Sequence, residues 1–66
     1  MKFDIVFAYD SCNLRFDGLS FPNCNNISDV KSWLNCQDTF LSIRNKLVNK
    51  NRVIYINIIE SKNQEE

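Results

Sequence analysis

The chain has 66 residues, 44% of them hydrophobic and 24% charged, a composition suited to one small globular domain. Eight Lys and Arg balance eight Asp and Glu, which excludes a global polyanion binder and leaves no long-range steering field. There is no run of about 18 apolar residues, so no membrane-spanning segment is expected.

A domain of this size buries only about 60% of its unfolded surface, so marginal stability is expected. Five Phe, two Tyr, one Trp and seven Ile supply large side chains for the core. Association with a second copy or a partner would add to that stability.

The cysteines are Cys12, Cys24 and Cys36, an odd number with no CxxC spacing, and there is no His. Structural zinc takes four Cys or His ligands, so no metal site is expected. Asp4 interrupts the first apolar run, which makes a poor signal peptide. The expectation is a reducing cytoplasm and three free thiols. Asn26-Ile27-Ser28 is formally a glycosylation sequon, without meaning in that compartment. Ten Asn against one Ala and one Gly point to an AT-rich genome, bacterial or phage.

The cysteines recur every 12 residues, but the apolar period changes across the copies, so this is not a structural repeat. Residues 3–9 alternate, with Phe3, Ile5, Phe7 and Tyr9 on one face and Asp4, Val6 and Ala8 on the other, which predicts a strand. Asp10 to Asn13 is a turn by composition. Leu14 and Phe16 open a second strand whose phase slips at Asp17-Gly18. A bulge at Gly18 keeps Leu14, Phe16, Leu19 and Phe21 on one face. The rival reading makes Asp17-Gly18 a tight hairpin turn, with arms of only three residues. Residues 22–26 form a loop.

Ser28 is a suitable N-cap, with Asp29 in the first turn. Trp33, Cys36, Phe40, Ile43 and Leu47 then recur at helical spacing, flanked by Val30, Leu34, Leu41 and Val48. This predicts one amphipathic helix, with a kink or division near residues 35–38 and a left-handed cap at Asn49 or Asn51. Residues 52–59 read as a last strand, with Ile54, Ile56 and Ile58 on the core face and Val53, Tyr55, Asn57 and Ile59 on the other. The predicted fold is α+β, in the order β-β-α-β. Its three-stranded antiparallel sheet has the order 2-1-3, a right-handed crossover and the helix on one face. Residues 1–60 form the domain and 61–66 a polar tail that frays.

Signals for catalysis are sparse. Without His, Ser and Cys lack their usual base, and nothing beside Cys12 activates it. Asp4, Asp10 and Asp17 show no convergence, which paired acid/base carboxylates require. One Gly cannot build a phosphate cradle. No enzyme activity, cofactor or small-molecule substrate is expected.

Residues 1–43 carry three Lys and Arg against five Asp, a net −2; residues 44–66 carry five against three Glu, a net +2. Arg44, Lys46, Lys50 and Arg52 make up most of that excess. They read either as a nucleic-acid patch or as cations complementing a helix C-terminus. The second reading is preferred, because no aromatics interleave with them. Trp33 and Phe40 read as core residues, and Gln37 and Arg44 as the rim of the helix stripe.

The stronger interaction signal is the sheet face away from the helix. Val6, Ala8, Val53, Tyr55 and Ile59 point there, and one helix cannot cover both faces. Open edge strands also invite strand addition. The expected function is a non-enzymatic protein–protein interaction module that binds a protein partner or itself, as a homodimer. A small phage or mobile-element inhibitor of a host protein is one concrete form. The alternative is a nucleic-acid-binding accessory protein using Arg44, Lys46, Lys50 and Arg52.

Overall fold

The computed structural model describes residues 1–62. The elements in order are β1 (Lys2–Ala8), β2 (Asn13–Ser20), α1 (Ile27–Asn35), β3 (Phe40–Ile43), β4 (Lys46–Asn49), a 3-10 turn at Lys50–Arg52, and β5 (Tyr55–Glu60). β2, β1 and β5 form an antiparallel sheet in that order, and β3 and β4 form a separate hairpin. The α+β class and the sheet order are those the sequence predicts, with β5 as the last strand.

β1 is central because it offers large apolar side chains to the core at every second position. Phe3, Ile5 and Phe7 are fully buried. Phe16 meets Phe7 edge-on, and Phe21 meets Phe3 edge-on, each with ring centroids 5.9 Å apart. Val30 and Leu34 from α1, and Leu41, Ile43 and Val48 from the hairpin, close the same core.

The phase slip in β2 is a bulge, not a turn. Phe3 pairs with Leu19 and Ile5 with Phe16, so three steps on β2 oppose two on β1. Gly18 sits at φ +64, a left-handed conformation that suits glycine. Its N–H donates to Asp4 Oδ1 at 2.8 Å, which pins the bulge to the central strand.

The helix differs from the sequence reading at both ends. Asn26, not Ser28, is the N-cap: its side chain accepts from the Asp29 N–H at 2.9 Å, and Asp29 accepts in return from the Asn25 N–H at 2.9 Å. The helix stops at Asn35, and residues 40–49 are a β-hairpin rather than its continuation. Arg44 and Asn45 occupy the turn with φ 50 and 68, the pair of positive angles that a tight two-residue hairpin turn requires.

Geometry explains the difference. A helix of 20 residues would be about 30 Å long. The seven-residue strand β1 spans only about 23 Å. The hairpin folds the same apolar residues back over the sheet. Leu41 pairs with Val48, and both are buried with Ile43. The helical stripe therefore dissolves: Trp33 is half-buried against Phe21, Cys36 is exposed, Phe40 is 55% exposed and Leu47 66%. Phe40 is thus not a core residue.

β5 begins at Tyr55, three residues later than the sequence suggests. Ile58 is buried and Ile56 half-buried on the core side, but Ile54 precedes the strand and is exposed. Ser61 is buried and donates its N–H to the Lys2 carbonyl at 3.0 Å, so sheet pairing runs on through it. Residues 63–66 of the expected tail lie outside the described residues. Among the described residues no helix is long and apolar enough to cross a membrane.

Candidate functional site

The outer sheet face is set by the register. Asn13, Ala8 and Tyr55 form one row across it; Arg15, Val6 and Asn57 form the next; Asp4 and Ile59 form the third. Four of the five residues expected on this face share it. Val53 does not: it lies before β5 and packs against the core, because the 3-10 turn ends the alternation that the sequence suggests. Ala8 is buried and Val6 half-buried, so the open apolar surface is Tyr55 (61%) and Ile59 (42%).

The β2 side of this face is polar. Arg15 Nε donates to Asp17 Oδ1 at 2.7 Å, and Arg15 Nη2 lies 4.0 Å from Asp4 Oδ2. Asp4 and Asp17 are therefore drawn together through Arg15, while Asp10 lies in the β1–β2 turn. Both grouped carboxylates are engaged by a guanidinium, an arrangement of structural ion pairs. No group of three or more His, Cys, Asp or Glu able to hold a metal occurs among the described residues.

The two edges of the sheet differ in kind. The β2 edge carries Arg15 and Asp17 and bends at the Gly18 bulge. The Arg44 guanidinium also donates to the Gly18 carbonyl at 3.3 Å. Charge, a bulge and a covering side chain are the usual means of blocking strand addition. β5 has none of them between Tyr55 and Ile59, and among the described residues no other strand pairs with its outer side. The Ser61 N–H points at β1, so antiparallel alternation turns the N–H and C=O of Ile56 and Ile58 away from the sheet.

A groove of about 310 Å³ runs beside this edge, lined by Lys31 and Leu34 of α1 and by Val53, Ile54, Ile56 and Ile58. Ile54 is 61% exposed there. Of the six large hydrophobic residues left exposed, three (Ile54, Tyr55 and Ile59) lie on β5 or immediately before it. The sequence carries the apolar character of β5. The contrast with β2 is missed, because it depends on Arg44 reaching back from a hairpin that the sequence reading does not contain.

The basic cluster is divided. Lys50 is half-buried and its Nζ donates to the Leu34 and Gln37 carbonyls, both at 2.7 Å. Arg44 holds Gly18 at the hairpin tip, and Arg52 lies beyond the other end of β4. The side chains of Lys46 and Arg52 are exposed.

Comparison with known proteins finds no family model, curated protein or solved structure that matches this chain.

Proposed function

We propose that this chain is a non-enzymatic protein-interaction module working through the free edge of β5 and the adjoining strip of the outer face. The observation that carries this reading is the asymmetry of the sheet. The β2 edge is charged, bulged and covered, whereas the β5 edge is uncharged from Tyr55 to Ile59, flanked by a groove and lined by exposed Ile54, Tyr55 and Ile59. An edge of that kind binds an added strand through its backbone, and the flanking pockets select side chains.

Three unpaired cysteines support a reducing, cytoplasmic setting. The AT-rich residue usage suits an inhibitor carried by a phage or mobile element, covering a working surface of a host protein. The nucleic-acid alternative is weakened, because Lys50 and Arg44 are occupied by backbone carbonyls.

The test is capture from lysate of the source cell, with wild-type protein and the Tyr55→Glu variant as baits. The expected result is a protein held by wild type at both low and high salt and lost with Tyr55→Glu. Capture of nucleic acid that falls steeply with salt would favour the alternative instead.

A further inference from the structure

We infer that the β5 edge pairs with β5 of a second copy of this chain, antiparallel and centred on Asn57, to make a continuous six-stranded sheet. This rests on the interaction reading above and names its partner.

The argument is self-complementarity. Strand addition at this edge must use the outward backbone groups of Ile56 and Ile58. Antiparallel pairing of two copies places Ile56 of one against Ile58 of the other, twice. Asn57 then lies on the two-fold axis in a non-hydrogen-bonded pair, where side chains approach most closely. The two Asn57 amides face one another, and each has both a donor and an acceptor to exchange. In the same register Tyr55 of each copy lies opposite Ile59 of the other, so the exposed apolar side chains of the outer face cover each other.

Charge agrees with this register. Glu60, the one charged residue of β5, falls opposite Ile54 of the second copy. On that side the groove holds Lys31, so each end of the pairing brings a carboxylate to an ammonium. No like charges stand opposite one another, and the chain's formal charge of zero sets up no repulsion between copies. Other registers lose these matches. Centring on Ile56 leaves Ile59 without a β5 residue opposite it, and centring on Ile58 does the same to Tyr55's apolar match.

The test uses two charge substitutions at Asn57, an exposed side chain. Sedimentation of the wild-type chain is expected to give twice the monomer mass. Asn57→Lys or Asn57→Asp alone sets like charges across the axis, so each dimer should weaken by up to about fivefold. An equimolar mixture of the two variants should recover dimer, as mixed pairs. Circular dichroism should show each variant folded.

A wild-type chain that stays monomeric up to its solubility limit overturns the inference. The interaction reading is then decided separately by the Tyr55→Glu capture, where a foreign protein held through Tyr55 would identify a different strand at this edge. A dimer indifferent to both Asn57 substitutions, or variants that do not recover on mixing, also overturns it, because the contact then lies elsewhere or in another register.

Discussion

The Lys50 ammonium lies 2.7 Å from the carbonyl oxygen of Leu34, sixteen residues earlier in the chain, and caps the end of α1 together with a bond to Gln37. A helix leaves its last carbonyls without partners, and its C-terminal end carries partial negative charge. α1 has no basic residue in its own last turn. The cation comes instead from the segment after the hairpin, so one side chain both completes the helix and ties it to the strand that follows.

Removing that cation should therefore cost stability. Lys50→Met keeps the apolar stem and loses both hydrogen bonds, for an expected loss of about 1–2 kcal/mol given partial solvent exposure. The urea midpoint should fall with an unchanged slope. An unchanged midpoint would mean that water replaces the ammonium without cost.

The hairpin gives a second prediction, in which two adjacent residues behave oppositely. Leu41 is buried opposite Val48, so Leu41→Ala should cost about 2–5 kcal/mol through lost burial and a residual cavity. Phe40 is 55% exposed on the other face, and Phe40→Ala should cost under about 1 kcal/mol. Thermal melts of the two variants check the pair. Equal losses would indicate the helical arrangement that the spacing suggests, with Phe40 inside.

That pair also shows where sequence reading works and where it stops. The alternation of Phe3, Ile5 and Phe7 has one period only, and β1 forms as it dictates. Residues 40–48 carry two periods at once. Phe40, Ile43 and Leu47 fit a helix, while Leu41, Ile43 and Val48 fit two strands joined by a tight turn. Propensity does not decide between them, because Arg44-Asn45 is a weak turn signal beside Asn-Gly. Tertiary packing decides: the hairpin places Leu41, Ile43 and Val48 together in the core. The outer-face residues Val6, Ala8, Tyr55 and Ile59 are legible because β1 and β5 alternate cleanly. Val53 is misplaced because a 3-10 turn after Asn49 is not visible in the pattern. The protection of the β2 edge is a tertiary fact, made by Arg44 and Gly18, 26 residues apart.

The bulge supplies a third prediction. A Cβ on Gly18 would meet nothing within 4 Å, so the obstacle to a side chain is the positive φ alone. Gly18→Ala should cost about 1–2 kcal/mol from that conformation. Gly18→Asn should cost less, since Asn tolerates the left-handed region better. Urea unfolding of the two variants gives the comparison. If Ala and Asn cost the same, the bulge has relaxed to another geometry.

The thiols give the last prediction, and it bears on the setting in which the protein works. Cys12 and Cys36 are exposed, while Cys24 is buried beside Phe21 at the end of β2, in the core cluster. A thiol reagent acts on the exposed fraction, so the folded protein without reductant should show two fast groups. The third should react only as the chain opens, at a rate that rises with denaturant and joins the fast phase once the protein is unfolded. Full denaturation should then release three equivalents. Only one equivalent under denaturing conditions would mean that two cysteines had been joined, and the reducing-compartment reading would fail with them. Three fast groups in the folded protein would place Cys24 in a region that opens readily. In that case the core near Phe21 would be the least stable part of the fold, and Cys24→Ser should change the melt by less than the about 1 kcal/mol typical of a point substitution.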